Sequence, residues 1–327
     1  MSDINNEINL DLDSNTLNSN NNKIDNNLDK PTEFLSDLSI FDISKVFTTF
    51  DKEKRILIIP IGFPQAGKSL LLSSLMYYAR KGNDTMFRTN VERDFPYDKG
   101  NLAVNDMVDF FDKGKLYDAT QKGTLDLIGI NLTPSKAKLP ELKLAFLDLA
   151  GEDIKSIKTS EKGQFTDKIN AVFNGLKIDN SPVIFTLITP YEPAKLTNES
   201  QQNAHDREDA LHYDFLNYIK QNQPQILKNA KFFVIVSQWD RNPNEKDNVE
   251  NYIKTNRPSI YNYVKNSNVI WGNYSVGKLL ESNVNGVNMQ EIVRINYDYP
   301  SRFWKKLYHI CTNKTLDNKS WFNKLFG

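Results

Sequence analysis

At 327 residues the chain is long enough for one enlarged α/β domain or for a domain with sizeable insertions. Lysine plus arginine and aspartate plus glutamate both total 41, so no global field draws the protein to nucleic acid or to an anionic membrane. The single cysteine, Cys311, excludes an intrachain disulfide. No basic start followed by an apolar run suggests a secretory signal, and a reducing cytoplasm is the expected location. The longest apolar run, around Ile56 to Phe63, is far below the roughly 18 residues that span a bilayer.

Residues 1–33 are dominated by asparagine, aspartate and serine and predict a disordered tail, because their scattered leucines and isoleucines bury too little area to offset ordering. Between Glu33 and Phe50 the apolar residues thicken, as in a docking segment or a first helix. Arg55-Ile-Leu-Ile-Ile-Pro-Ile-Gly62 is continuously apolar, which predicts a strand buried on both faces. Leu71, Leu72, Leu75, Met76 and Ala79 then recur at helical spacing until Arg80, Lys81 and Gly82 stop the helix. An irregular stretch with a helix near Leu102 to Phe111 follows. Leu125–Leu132 and Leu142–Leu149 read as strands whose short link, Thr133 to Glu141, has no room for a crossover helix and so predicts an antiparallel hairpin. Further strands at Val183 to Ile188, Phe232 to Val236 and Val269 to Trp271 alternate with helices near Phe165 to Leu176, Asn203 to Ile219 and Val249 to Val264. The expected fold is α/β, a three-layer sandwich with a mostly parallel sheet and one antiparallel hairpin. The domain is expected over 34–311, with a C-terminal tail over 312–327.

Gly62-Phe-Pro-Gln-Ala-Gly67-Lys68-Ser69 matches G-x-x-x-x-G-K-[ST], the P-loop or Walker A pattern, between a strand and a helix as that mechanism requires. The glycines let the backbone curl its N–H groups around phosphate oxygens at the positive end of the helix. Phe63, Pro64, Gln65, Ala66 and Leu70 complete the expected nucleotide-contacting run. Lys68 would reach the β and γ phosphates, and Ser69 would place its hydroxyl on Mg²⁺.

Three further elements carry a resemblance. Asp148-Leu-Ala-Gly151 resembles the D-x-x-G element of Ras-like GTPases, which implies that Asp148 holds Mg²⁺ through water and that the Gly151 N–H senses the γ-phosphate. Ser237-Gln-Trp-Asp240 resembles the guanine-reading N-K-x-D element. Asp240 would then accept two hydrogen bonds from guanine, while Ser237 stands for the usual asparagine and Gln238 for the lysine whose stem covers the base. Asn273-Tyr-Ser275-Val-Gly-Lys278 is similar to the short element whose N–H, here at Ser275 or Val276, contacts the guanine carbonyl. All four elements end predicted strands in the family's order, where an open α/β sheet places its ligand crevice. Over Arg55 to Lys278 the chain therefore resembles the translation-factor-like P-loop GTPases. Its lengthened separations between motifs are similar to those of bacterial double-GTPases.

The resemblance implies a GTP/GDP-dependent switch with Mg²⁺-assisted hydrolysis and a protein effector or regulator. The alternatives are a P-loop ATPase or kinase, or a nucleotide-binding scaffold without turnover. Glu152 occupies the position that often carries a water-orienting glutamine, and Thr124 or Thr120 stands where a switch threonine would close over Mg²⁺ as a catalytic and metal-binding residue. Gln65 sits where related loops carry a K⁺-binding asparagine, so K⁺ stimulation is an expectation of the same kind. The aromatic side chains around Phe303, Trp304, Leu307, Tyr308 and Ile310 predict a packed helix. Trp321 to Phe326 reads as a last turn folding back or a peripheral membrane or partner contact. His205, His212 and His309 have no metal-ligand spacing with Cys311, so no structural zinc is expected.

Overall fold

The run from Arg55 to Gly62 forms the expected strand, and in a computed structural model of the chain it lies inside a seven-stranded sheet. The structure describes residues 35–316 apart from 83, 94, 96–98, 116–123, 158–163, 177–181, 245 and 285–286. In chain order the elements are a 3-10 turn at Leu35–Asp37, α1 (Ile40–Phe47), α2 (Thr49–Glu53), β1 (Arg55–Gly62), α3 (Lys68–Lys81), β2 (Phe87–Val91), α4 (Lys99–Asp112), β3 (Leu125–Pro134), β4 (Leu142–Leu149), α5 (Gly151–Ser156) and α6 (Gln164–Gly175). They continue as β5 (Val183–Pro190), α7 (Gln201–Asn222), α8 (Pro224–Asn229), β6 (Lys231–Ser237), a 3-10 turn at Trp239–Arg241, α9 (Val249–Asn256), α10 (Pro258–Val264), β7 (Val269–Asn273), β8 (Gly277–Val284), β9 (Val287–Ile295) and α11 (Asp298–Thr312). The 1–33 tail, Thr120 and Trp321 to Phe326 lie outside the described residues.

The strand order is β2-β3-β4-β1-β5-β6-β7. β2–β3 and β3–β4 are antiparallel, the second with Leu125 opposite Leu149, and the other pairs are parallel. The expected hairpin is therefore present. Successive side chains of β1 point to opposite faces, so Leu57, Ile59 and Ile61 enter one core with α1, α6 and α7, while Ile56 and Ile58 enter the other with α3, α4 and α11. Two cores around one sheet make the three layers. The chain leaves β1 towards the second core through α3 and leaves β4 towards the first through α6, so a topological switch point lies between these neighbouring strands.

Pro60 lies inside β1, where a missing N–H would normally weaken a central strand. The β1–β4 ladder ends at Ile58 and Phe146, whereas β1–β5 continues to Gly62 and Ile188. The proline thus falls where β1 is bonded on one side, and the two strands part beneath the P-loop.

The single helix expected over Val249 to Val264 is two. Pro258 has no N–H to continue the ladder and opens α10, and Arg257 before it leaves the helical conformation at φ −139° and ψ 58°. Two strand pairs escaped the sequence reading. β2 carries an alternating, mostly polar segment on the sheet edge, and β8–β9 form a separate two-stranded hairpin directly after the last nucleotide motif. No helix among the described residues is long and apolar enough to cross a membrane.

The segment before β1 is a first helix. The Ser39 hydroxyl accepts from the Asp42 N–H to cap α1, and Ile43 and Phe47 are fully buried. Its seat is Gly175 at the end of α6, where an added methyl would collide with the Ser44 carbonyl oxygen and stand 2.8 Å from the Phe47 Cβ. Gly175→Ala is expected to destabilise the domain by about 1–3 kcal/mol through overpacking. Urea denaturation of the variant checks this, and an unchanged midpoint would mean that α1 does not dock there.

Candidate functional site

The conformation of the P-loop follows from two left-handed residues. Gly67 has φ +82° and caps α3, and Gln65 has φ +71°, which leaves its side chain exposed. The Ala66 N–H donates to the Phe63 carbonyl at 2.9 Å and closes the first bend, and the Leu71 N–H donates to the Gly67 carbonyl at 2.8 Å to start the helix. Gly62 is tightly walled, since a methyl there would stand 3.1 Å from the Ile188 carbonyl oxygen. This curl exposes backbone N–H groups at a helix N-terminus, the arrangement that binds phosphate.

Lys68 and Asp148 come together at the parting of β1 and β4. The Lys68 ammonium and the Asp148 carboxylate form a buried ion pair, with side-chain exposures of 8% and 2%. Gly151 opens α5 against the loop, where a methyl would stand 3.0 Å from both the Gly62 carbonyl oxygen and the Pro64 nitrogen. Glu152 in the first turn of α5 is exposed, whereas Asp153 beside it is buried. Thr124 precedes β3, and the Leu125–Leu149 register sets it at the same sheet end as Asp148. Ser69 and Leu70 are half-buried in the first turn of α3, where the Ser69 carbonyl accepts from the Ser73 hydroxyl at 2.9 Å.

The base-side elements are fastened to the P-loop. The buried Ser237 hydroxyl donates to the Ala66 carbonyl at 2.6 Å, and the Gln238 side-chain amide donates to the Gln65 carbonyl at 3.4 Å. Asp240 is exposed at the mouth, next to Trp239, which is fully buried against Tyr191 and Tyr252. The Trp239 N–H donates to the Tyr274 carbonyl at 3.1 Å and the Tyr274 N–H to the Val236 carbonyl at 2.8 Å, so the loop carrying Ser275 and Val276 is tied to the one carrying Asp240. Ser275 and Val276 are buried between β7 and β8, and the Ser275 hydroxyl accepts from the Gly277 N–H at 3.3 Å. The Tyr274 hydroxyl is bonded to the Ser74 hydroxyl at 2.9 Å, and burial pushes its pKa up, so it stays neutral there.

The sequence places Trp239 and Tyr274 inside two of its motifs but gives no sign of the bonds they make, nor of Ser74 as part of the site, because each acts through a bond to another motif. It also misses a cavity of about 490 Å³ against the P-loop, lined by Phe63, Pro64, Ile154, Lys155, Arg207 and Leu211. Cations lie over the Phe63 ring, with the Lys155 Nζ 4.1 Å and the Arg207 Cζ 4.2 Å from its centroid. The largely apolar lining suits no triphosphate, so this cavity is a neighbour of the phosphate cradle.

Residues 59–293, from the end of β1 to β9, match the model of the Double-GTPase 1 family. The chain belongs to that family. This GTPase is also similar to two solved structures of Toc33 from Arabidopsis thaliana. One is a dimerization-deficient mutant, at 10% identity over 83% of this chain and 91% of that one with a TM-score of 0.36. The other is a complex with GDP and Mg²⁺, at 10% identity over 83% and 90% with a TM-score of 0.34. No curated protein matches the chain. The protein is a P-loop GTPase of the double-GTPase type, a GTP-binding switch protein and GTP hydrolase.

Replacing Ser237 by Ala removes the donor from a buried carbonyl of the P-loop. The expected cost is about 1–3 kcal/mol of stability, with weaker nucleotide binding, because an unsatisfied buried acceptor loses its full desolvation energy. Denaturation together with GDP titration checks it. Unchanged values in both would show that the Ser237–Ala66 bond carries no weight.

Proposed function

We propose that the P-loop of this GTPase binds the β and γ phosphates through its backbone N–H groups and Lys68, with Mg²⁺ held by Ser69, by Asp148 through water, and by Thr124. The observation that carries this reading is the buried Lys68–Asp148 pair, which gathers the cation for phosphate and the carboxylate for metal at one point of the switch seam. When bound, Mg²⁺ would neutralise charge on the γ-phosphate. Serine hydroxyl, carboxylate and threonine are oxygen donors, the class this cation takes.

In the same reading the Gly151 N–H meets the γ-phosphate, Glu152 orients the attacking water, and the segment around Thr124 orders with it, so that an effector distinguishes GTP from GDP. Asp240 accepts from guanine N1–H and the exocyclic amine, Gln238 covers the base, and the N–H of Ser275 or Val276 meets the guanine carbonyl. Support comes from the bonds that tie Ser237, Trp239 and Tyr274 into one frame around these groups. A cytoplasmic location, K⁺ at Gln65 and peripheral contact through the C-terminal tail belong to this proposal as well.

Asp240→Asn is expected to lower the preference for GTP over ATP by about 10- to 100-fold, the worth of hydrogen bonds to a charged acceptor. Lys68→Ala should abolish nucleotide binding. Titrations with Mg²⁺ and each nucleotide, followed by phosphate release in Na⁺ and in K⁺, measure both effects. Retained guanine preference in Asp240→Asn overturns the assignment of the base reader, and retained affinity in Lys68→Ala overturns the phosphate site.

A further inference from the structure

At the far end of α3 from the P-loop lies a second polar cavity. Arg80 follows Lys68 by twelve residues of continuous helix, about 18 Å at 1.5 Å per residue. There α3, the edge strand β2 and α4 border a cavity of about 930 Å³ whose lining includes Arg80, Arg93, Asn90, Asn101 and Asn105 and, among the described residues, no carboxylate. The Thr89 hydroxyl donates to the Ala79 carbonyl at 3.2 Å and holds β2 to the end of the helix.

Donors dominate the lining. The Arg80 guanidinium donates to the Asn105 side-chain oxygen and, at 2.8 Å, to that of Asn101. A guanidinium has no acceptor, so both amides must turn their oxygens towards it and keep their NH₂ groups for another partner. Neutral amides satisfy the hydrogen bonds of Arg80 without neutralising its charge. Burial lowers the Arg80 pKa most; next the Asp109 carboxylate, outside the lining, raises it, and then the Arg93 guanidinium lowers it. The two guanidinium groups are therefore within electrostatic reach of each other. The carbonyl end of α3 opposes an anion here, and Arg80 and Lys81 in its last turn offset that dipole.

We propose that this cavity binds a phosphate group between the Arg80 and Arg93 guanidinium groups, with the Asn101 and Asn105 amides as further donors. A phosphate offers several charged oxygens to planar donor forks and gives the amide hydrogens an acceptor. The group could belong to a soluble phosphorylated metabolite or to a phosphomonoester headgroup, which share this chemistry. Its place at the opposite end of α3 makes it separate from the nucleotide phosphates.

The test uses the full chain saturated with GDP, so that the P-loop is filled, and inorganic phosphate as the probe. Titration should give saturable NMR shifts of the Arg80 and Arg93 guanidinium resonances and of the Asn101 and Asn105 side-chain amides. Arg93→Gln should weaken the apparent affinity at least tenfold with GDP affinity unchanged, and Arg93→Lys should fall between. Both changes are at an exposed position, so folding is not at stake. Cosedimentation with phosphatidylcholine vesicles, with and without phosphatidic acid, separates the sources. Phosphatidic-acid-dependent retention lost in Arg93→Gln supports a headgroup, and phosphate binding without retention supports a soluble ligand. Absence of saturable shifts, or shifts indifferent to Arg93→Gln, overturns the proposal.

Discussion

The buried pairing of Lys68 with Asp148 is the interaction on which the rest of the site depends. Two charges with little access to water offset each other there. The pair also spans the seam from which α3 and α6 depart to opposite faces of the sheet. In the proposed liganded state the phosphates take Lys68 and the metal takes Asp148, so both charges keep a counter-charge while the direct bond between them is given up. Nucleotide entry thereby acts on the seam between β1 and β4, whose ladder ends at Ile58 and Phe146, short of Pro60.

Much of this arrangement was legible in the chain because it follows from short-range rules. The apolar run before Gly62, the glycines at 62 and 67, and the helical spacing after Lys68 agree at every level, and the short link before Leu142 leaves an antiparallel hairpin as the one geometry available. β2 was not legible, since Phe-Arg-Thr-Asn-Val buries alternate residues on a sheet edge and gives too brief a pattern to separate from loop. The break between α9 and α10 is different in kind. Pro258 announces it, and the apolar period on both sides hid the signal.

Ser237 shows why a residue-by-residue reading of the site has a limit. As a departure from asparagine it suggests a weakened base motif. In the fold its short hydroxyl reaches the Ala66 carbonyl across 171 positions of sequence, so the smaller side chain still joins the base loop to the phosphate loop. Trp239 and Tyr274 are the same lesson on a larger scale, because their contributions exist only once β6, β7 and α3 are side by side.

These links run on both sides of the site. On the base side, Ser237 is bonded to the P-loop, Trp239 to Tyr274, and Tyr274 to Ser74 of α3, so the two base loops, the P-loop and the first turns of α3 share one hydrogen-bonded frame. On the proposed γ-phosphate side, Gly151 meets the loop by close approach and the Lys68–Asp148 ion pair crosses the seam. Directional bonds resist displacement. In the proposed reading a guanine base docks into a frame that is already set. A switch requires contacts to the third phosphate that differ between two states, since a ligand can shift an equilibrium only through such a difference.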